Sequence, residues 1–92
     1  MIDVKQAVKI ATEFVKDVLS SEKIDRITLE EVELDETQSN WYITLAVGTV
    51  VRADPFSLLS GKTPELRVRY KVIKINADSG QVISMKIRKE DE

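Results

Sequence analysis

Apolar side chains recur at Val4, Ala7, Val8, Ala11, Phe14, Val15, Val18 and Leu19, and Lys5, Lys9, Glu13, Lys16 and Asp17 fill the gaps between them. This is the 3.6-residue rhythm of a single buried stripe, so the pattern predicts a helix over residues 4–19. Asp3 is a good N-cap for it, and Gln6 stands where a capping box needs its partner. If the Phe14 ring is fully enclosed, Phe14→Ala should be the most damaging change in this helix, at about 3–5 kcal/mol.

Beyond the helix the period falls to two. Residues 26–34 read as a strand with Ile27 and Leu29 in one phase and Val32 and Leu34 in the other. A one-residue slip exchanges the faces of a strand, which predicts a bulge near Glu30 and Glu31. After a polar turn over residues 35–40, residues 41–51 carry no charge. Trp41, Ile43, Leu45, Val47 and Val51 fall on one face and Tyr42, Thr44, Ala46, Gly48 and Val50 on the other. Such a strand is shielded on both sides, by the helix on one and by a further cover on the other. Gly48 predicts close approach of a backbone or a ring.

Residues 52–65 hold Pro55, Gly61 and Pro64 and are too many for a tight hairpin turn. Residues 66–75 alternate Leu66, Val68, Tyr70 and Val72 against Arg67, Arg69 and Lys71, and the apolar phase then changes at Ile73 and Ile75. Residues 76–80 make a compact turn with Gly80 at positive φ. Residues 81–88 form a closing strand that opposes Ile83, Met85 and Ile87 to Ser84, Lys86 and Arg88, and residues 89–92 are a frayed tail. The expectation is one α+β domain over residues 1–92, a helix packed on a four-stranded antiparallel meander.

Composition narrows the function. The chain has 92 residues, no cysteine and no histidine, so it has no disulfide, no thiolate metal site and no imidazole base. Gly48, Gly61 and Gly80 stand apart, so no phosphate-cradling glycine motif is present. Asn76, Asp78 and Gly80 do not follow the spacing of a calcium loop. A non-catalytic protein without cofactor or metal is expected. Net charge is −2, which disfavours nucleic acid as a partner. No apolar run approaches the roughly 20 residues of a membrane span. The first five residues lack the layout of a secretory signal, which gives a cytoplasmic expectation.

The N-terminal helix, the strand opening at Trp41 and Tyr42, and the ending YKVIKINADSGQVI from Tyr70 to Ile83 resemble PepSY-like domains. That resemblance implies a cystatin-like shape and an association with inhibiting or chaperoning peptidases. A weaker likeness, carried by Trp41, Arg52 to Pro55 and Tyr70 to Val72, is to the O-type gas-vesicle synthesis proteins, and it implies an assembly accessory.

Three surfaces are candidates for function. Tyr42, Thr44, Ala46 and Val50, with Pro55, Phe56, Leu58 and Leu59 of the 52–65 loop, would contact a protein partner or a second copy of the chain in a homodimer. The competing view folds that loop back over the same face as a lid. Arg67, Arg69, Lys71, Lys86 and Arg88 would make one basic sheet surface for an anion, or else a solvated face. Glu30, Glu31, Glu33, Asp35 and Glu36 concentrate negative charge on the first strand, where acids ordinarily deter edge-to-edge aggregation.

Overall fold

Asp3 sets the start of the helix. In the computed structural model, which describes residues 1–50, Gly61 and residues 66–88, the Asp3 carboxylate accepts from the Gln6 backbone N–H at 2.8 Å. The Gln6 Oε1 accepts from the Asp3 N–H at 3.0 Å, which closes the capping box. Helix α1 covers Val4–Val18 and ends at Leu19, whose N–H donates to the Val15 carbonyl at 2.9 Å. Four strands follow: β1 (Ile24–Leu34), β2 (Asn40–Val50), β3 (Leu66–Asn76) and β4 (Val82–Arg88). They pair antiparallel in the order β1-β2-β3-β4. The protein is α+β, one helix packed on a four-stranded antiparallel sheet.

The buried side chains of α1 are Ala7, Ala11 and Val15, and they meet Ile43, Leu45, Val47, Ile73 and Ile75 of the two central strands. Small residues at the centre of the helix stripe let it lie close to the sheet. Phe14 packs at the margin of this cluster and is half-buried, so the condition of a fully enclosed ring is not met, and the buried centre of the stripe is Ala7, Ala11 and Val15. Ile10, outside the expected stripe, also packs against the core.

Register decides which face each residue serves. On β1, Leu29 faces Leu45 and Glu31 faces Thr44, which leaves Glu30 as the extra residue of a bulge. The bulge turns Val32 and Leu34 to the helix side with Ile27, as their changed phase predicts. A second shift lies between Ile24 and Arg26.

The β2–β3 ladder has no shift from Asn40–Asn76 to Val50–Leu66. The change of apolar phase at Ile73 is therefore not a backbone event. Directly opposed residues of an antiparallel pair share a face, so Arg69 beside Val47 and Lys71 beside Leu45 lie on the helix side, in line with Ile73 and Ile75. Leu66, Val68, Tyr70 and Val72 occupy the outer side. On β4, Ile75 faces Val82 and Lys74 faces Ser84, which makes Ile83 the extra residue of a further bulge. Ile83 is exposed and does not continue the row of Met85 and Ile87.

The amino end of α1 is tied to the turns at one end of the sheet. The Ile2 N–H donates to the Ala77 carbonyl at 2.7 Å, the Trp41 Nε1–H donates to the Ile2 carbonyl at 3.2 Å, and the Ala77 N–H donates to the Ser39 carbonyl at 2.8 Å. The β3–β4 turn is an Asx turn, in which the Asn76 side-chain oxygen accepts from the Asp78 and Ser79 N–H groups, both at 2.9 Å. Gly80 closes it at φ +75°. From this end the 15 residues of α1 reach about 22 Å, whereas the 11 residues of β2 and β3 reach about 36 Å. The helix therefore stops short of the other end of the central strands. No helix among the described residues is long and apolar enough to cross a membrane.

Candidate functional site

The outer face of β2 is built from Tyr42, Thr44, Ala46, Gly48 and Val50. Thr44 is 2% exposed and Ala46 9%, with Tyr42 and Val50 half-buried. Among the described residues, their neighbours on this face contribute to the shielding. Thr44 lies between Glu31 and Val72, and Ala46 between Thr28 and Tyr70. Tyr42 opposes Lys74, whose Nζ sits 5.8 Å from the ring centroid.

Arg88 of β4 meets Glu31 of β1 at 3.6 Å, although two strands separate them. At about 4.8 Å per strand the two edges are roughly 14 Å apart, so both side chains must lie flat over the central strands to meet. Among the described residues, neither a ring nor a distant backbone approaches Gly48. A Cβ there would meet Arg26 Cγ at 3.5 Å and the Arg26 carbonyl at 3.8 Å, so the stem of its cross-strand neighbour lies over it.

Thr44 and Ala46 consequently offer a partner little surface. The exposed apolar area of this face lies toward the end away from the turns, where Leu66 opposes Val50 and Val68 opposes Gly48, and both Leu66 and Val68 are 49% exposed. The sequence reading did not single out these two residues. Their alternation was visible, but their side of the sheet depends on the β2–β3 register. Pro55, Phe56, Leu58 and Leu59 lie outside the described residues.

The five cations expected to make one basic surface divide between the two faces. Lys86 opposes Val72 and Arg88 opposes Tyr70, on the outer side, while Arg67, Arg69 and Lys71 are on the helix side. Tyr42 belongs to the outer side, with Lys74 opposite it. Arg67, Arg69 and Lys71 line a hollow of about 160 Å³ with Leu19, Glu22, Val47 and Thr49, where the sheet runs past the end of α1. None of the three makes an ion pair among the described residues. A larger, open groove of about 590 Å³ runs between the carboxyl end of α1 and the start of β1. Its charged lining is mixed, with Lys16 and Arg26 set among Glu22 and Asp25.

The acids of β1 do not converge. Glu31 and Glu33 fall on the outer side opposite Thr44 and Tyr42, and Glu30 is in the bulge. Asp35 serves the β1–β2 turn: its carboxylate accepts from the Ser39 N–H at 2.8 Å, the Thr37 hydroxyl at 3.1 Å and the Asn40 side-chain amide at 3.1 Å. Desolvation pushes this carboxyl upward. The bonds from Asn40, Ser39 and Thr37 together outweigh it and hold Asp35 below its ordinary value. Among the described residues no group of three or more acids is placed to hold a metal ion.

Comparisons with family models, with curated proteins and with solved structures return no match for this chain.

Proposed function

We propose that this protein is a non-catalytic binding or assembly module of PepSY-like build that works in the cytoplasm through the outer face of its sheet. The observation that carries the proposal is the apolar patch of Leu66 and Val68 beside half-buried Val50. Two aliphatic side chains left half in water on a regular strand forgo part of the stabilisation that full burial brings, and a second apolar surface laid on them supplies it. Self-association is the simplest form of the reading, because a face-to-face dimer supplies the matching surface from the same sequence.

Sedimentation equilibrium over a wide concentration range tests it. The parent chain should show a reversible dimer, and Leu66→Glu with Val68→Glu should be a monomer with the same circular dichroism. A parent chain that stays monomeric at every concentration would remove self-association. If the double variant pulls down the same proteins as the parent, the face is not a contact.

A further inference from the structure

We propose that the helix-side hollow at the open end of the sheet is a docking site for an extended acidic peptide of a partner protein. This surface lies on the opposite face from the apolar patch, so the inference stands apart from the function proposed above.

Arg67, Arg69 and Lys71 occupy alternate positions of β3 on one face. Alternate residues of a strand are spaced by about 6.6 Å, so the three positions span roughly 13 Å. An extended peptide repeats its own side chains at the same interval. Carboxylates at every second residue would therefore meet these cations in step. A single phosphate group would engage one or two of them at most.

The remaining lining favours a peptide over a polyanion of phosphates. Leu19 and Val47 supply apolar wall, Thr49 a hydroxyl, and Glu22 a negative charge that discourages dense phosphate. Among the described residues no aromatic ring lines the hollow to stack a base. Ile87, directly opposite Lys71 on the same face, is 65% exposed and adds an apolar shoulder.

The cations have no ion-pair partner among the described residues. They sit where the sheet outruns the helix, on a face that β2 and β3 line with Leu45, Val47 and Ile73 nearer the helix. Charge at that point keeps the uncovered strands soluble while leaving them addressable by a segment of opposite sign.

The test uses the full chain and a fluorescein-labelled hexapeptide that alternates glutamate with valine, read by anisotropy. The peptide should bind at low ionic strength and weaken with added salt, and its glutamine counterpart should not bind. Arg67→Ser with Arg69→Ser should weaken binding by roughly tenfold or more. Lys74→Ser with Lys86→Ser removes the same charge from the outer face and should leave binding within about twofold. Thermal melting followed by Trp41 fluorescence shows whether each variant is folded.

Equal losses in the two double variants would reduce the effect to net charge and overturn the proposal, and so would absence of peptide binding at low salt. Tighter binding of an oligothymidylate of equal charge would overturn it in favour of nucleic acid. Competition by millimolar inorganic phosphate as strong as that by unlabelled peptide would overturn it in favour of a simple anion site.

Discussion

Gly48 and Gly80 separate two reasons for having no side chain. At Gly80 the backbone is at φ +75°, and a Cβ would meet Ile10 Cδ1 at 3.3 Å and Ile2 Cγ2 at 3.8 Å. Gly80→Ala should therefore cost at least about 1–2 kcal/mol through left-handed strain, with crowding of the helix added. Gly48 has no such φ, and the nearest described neighbour of a Cβ there would be at ordinary van der Waals distance. Gly48→Ala should be neutral or stabilising by up to about 1 kcal/mol, because alanine restricts the unfolded chain more than glycine does. Urea denaturation of both variants checks the opposed signs.

Asp35 adds a dependence on pH. Its carboxyl is held below the ordinary value in the fold, so its contribution is fully present above the ordinary carboxylate range and is lost as pH falls through the lowered value. Thermal melts from neutral pH downward should show Asp35→Asn losing less stability over that acid window than the parent chain.

At the scale of the elements, α1 owes its place to Ala7, Ala11 and Val15. Val15 is fully buried, so Val15→Ala should cost about 2–3 kcal/mol. Phe14→Ala should cost less than the roughly 3 kcal/mol at the low end for an enclosed ring. Equilibrium unfolding of the pair measures both, and a larger loss for Phe14 would mean that the helix stripe is centred elsewhere.

The helix, its cap, the four strands and the Glu30 bulge were legible because each leaves a local signature: a period, an N-cap pair, a phase slip. The face served by Arg67, Arg69 and Lys71 was not. Charged residues on alternate positions read as an outward face only if the opposite positions are covered, and on β3 the cover changes along the strand. Near the turns the helix covers Ile73 and Ile75. Past its end the same side carries cations, and the apolar residues move to the other face. The apolar phase of β3 thus records where α1 stops, a fact of helix length and tilt that no window of β3 contains. The bulge at Ile83 was missed for a related reason, because Ile83, Met85 and Ile87 alternate perfectly and only pairing with β3 reveals the extra residue.

Taken whole, the sheet has two unlike sides with β1 and β4 at its edges, and among the described residues one ion pair joins those edges. The Glu31–Arg88 pair spans the outer face, yet its partners are 60% and 50% exposed, which limits the ionic part to about 1 kcal/mol or less. The larger contribution comes from the apolar stem of Arg88, laid over the central strands above nearly dry Thr44 and Ala46. Two substitutions separate stem from charge. Arg88→Met keeps most of the stem and should cost about 0.5 kcal/mol or less, whereas Arg88→Ser removes both and should cost about 1 kcal/mol or more. Raising the salt concentration should narrow the gap between the parent and Arg88→Met while leaving the loss in Arg88→Ser nearly unchanged. Equal losses in the two variants, both abolished by salt, would make the bridge purely electrostatic. Among the described residues, the dryness of the β2 outer face would then have to come from Tyr42, Tyr70 and Val72.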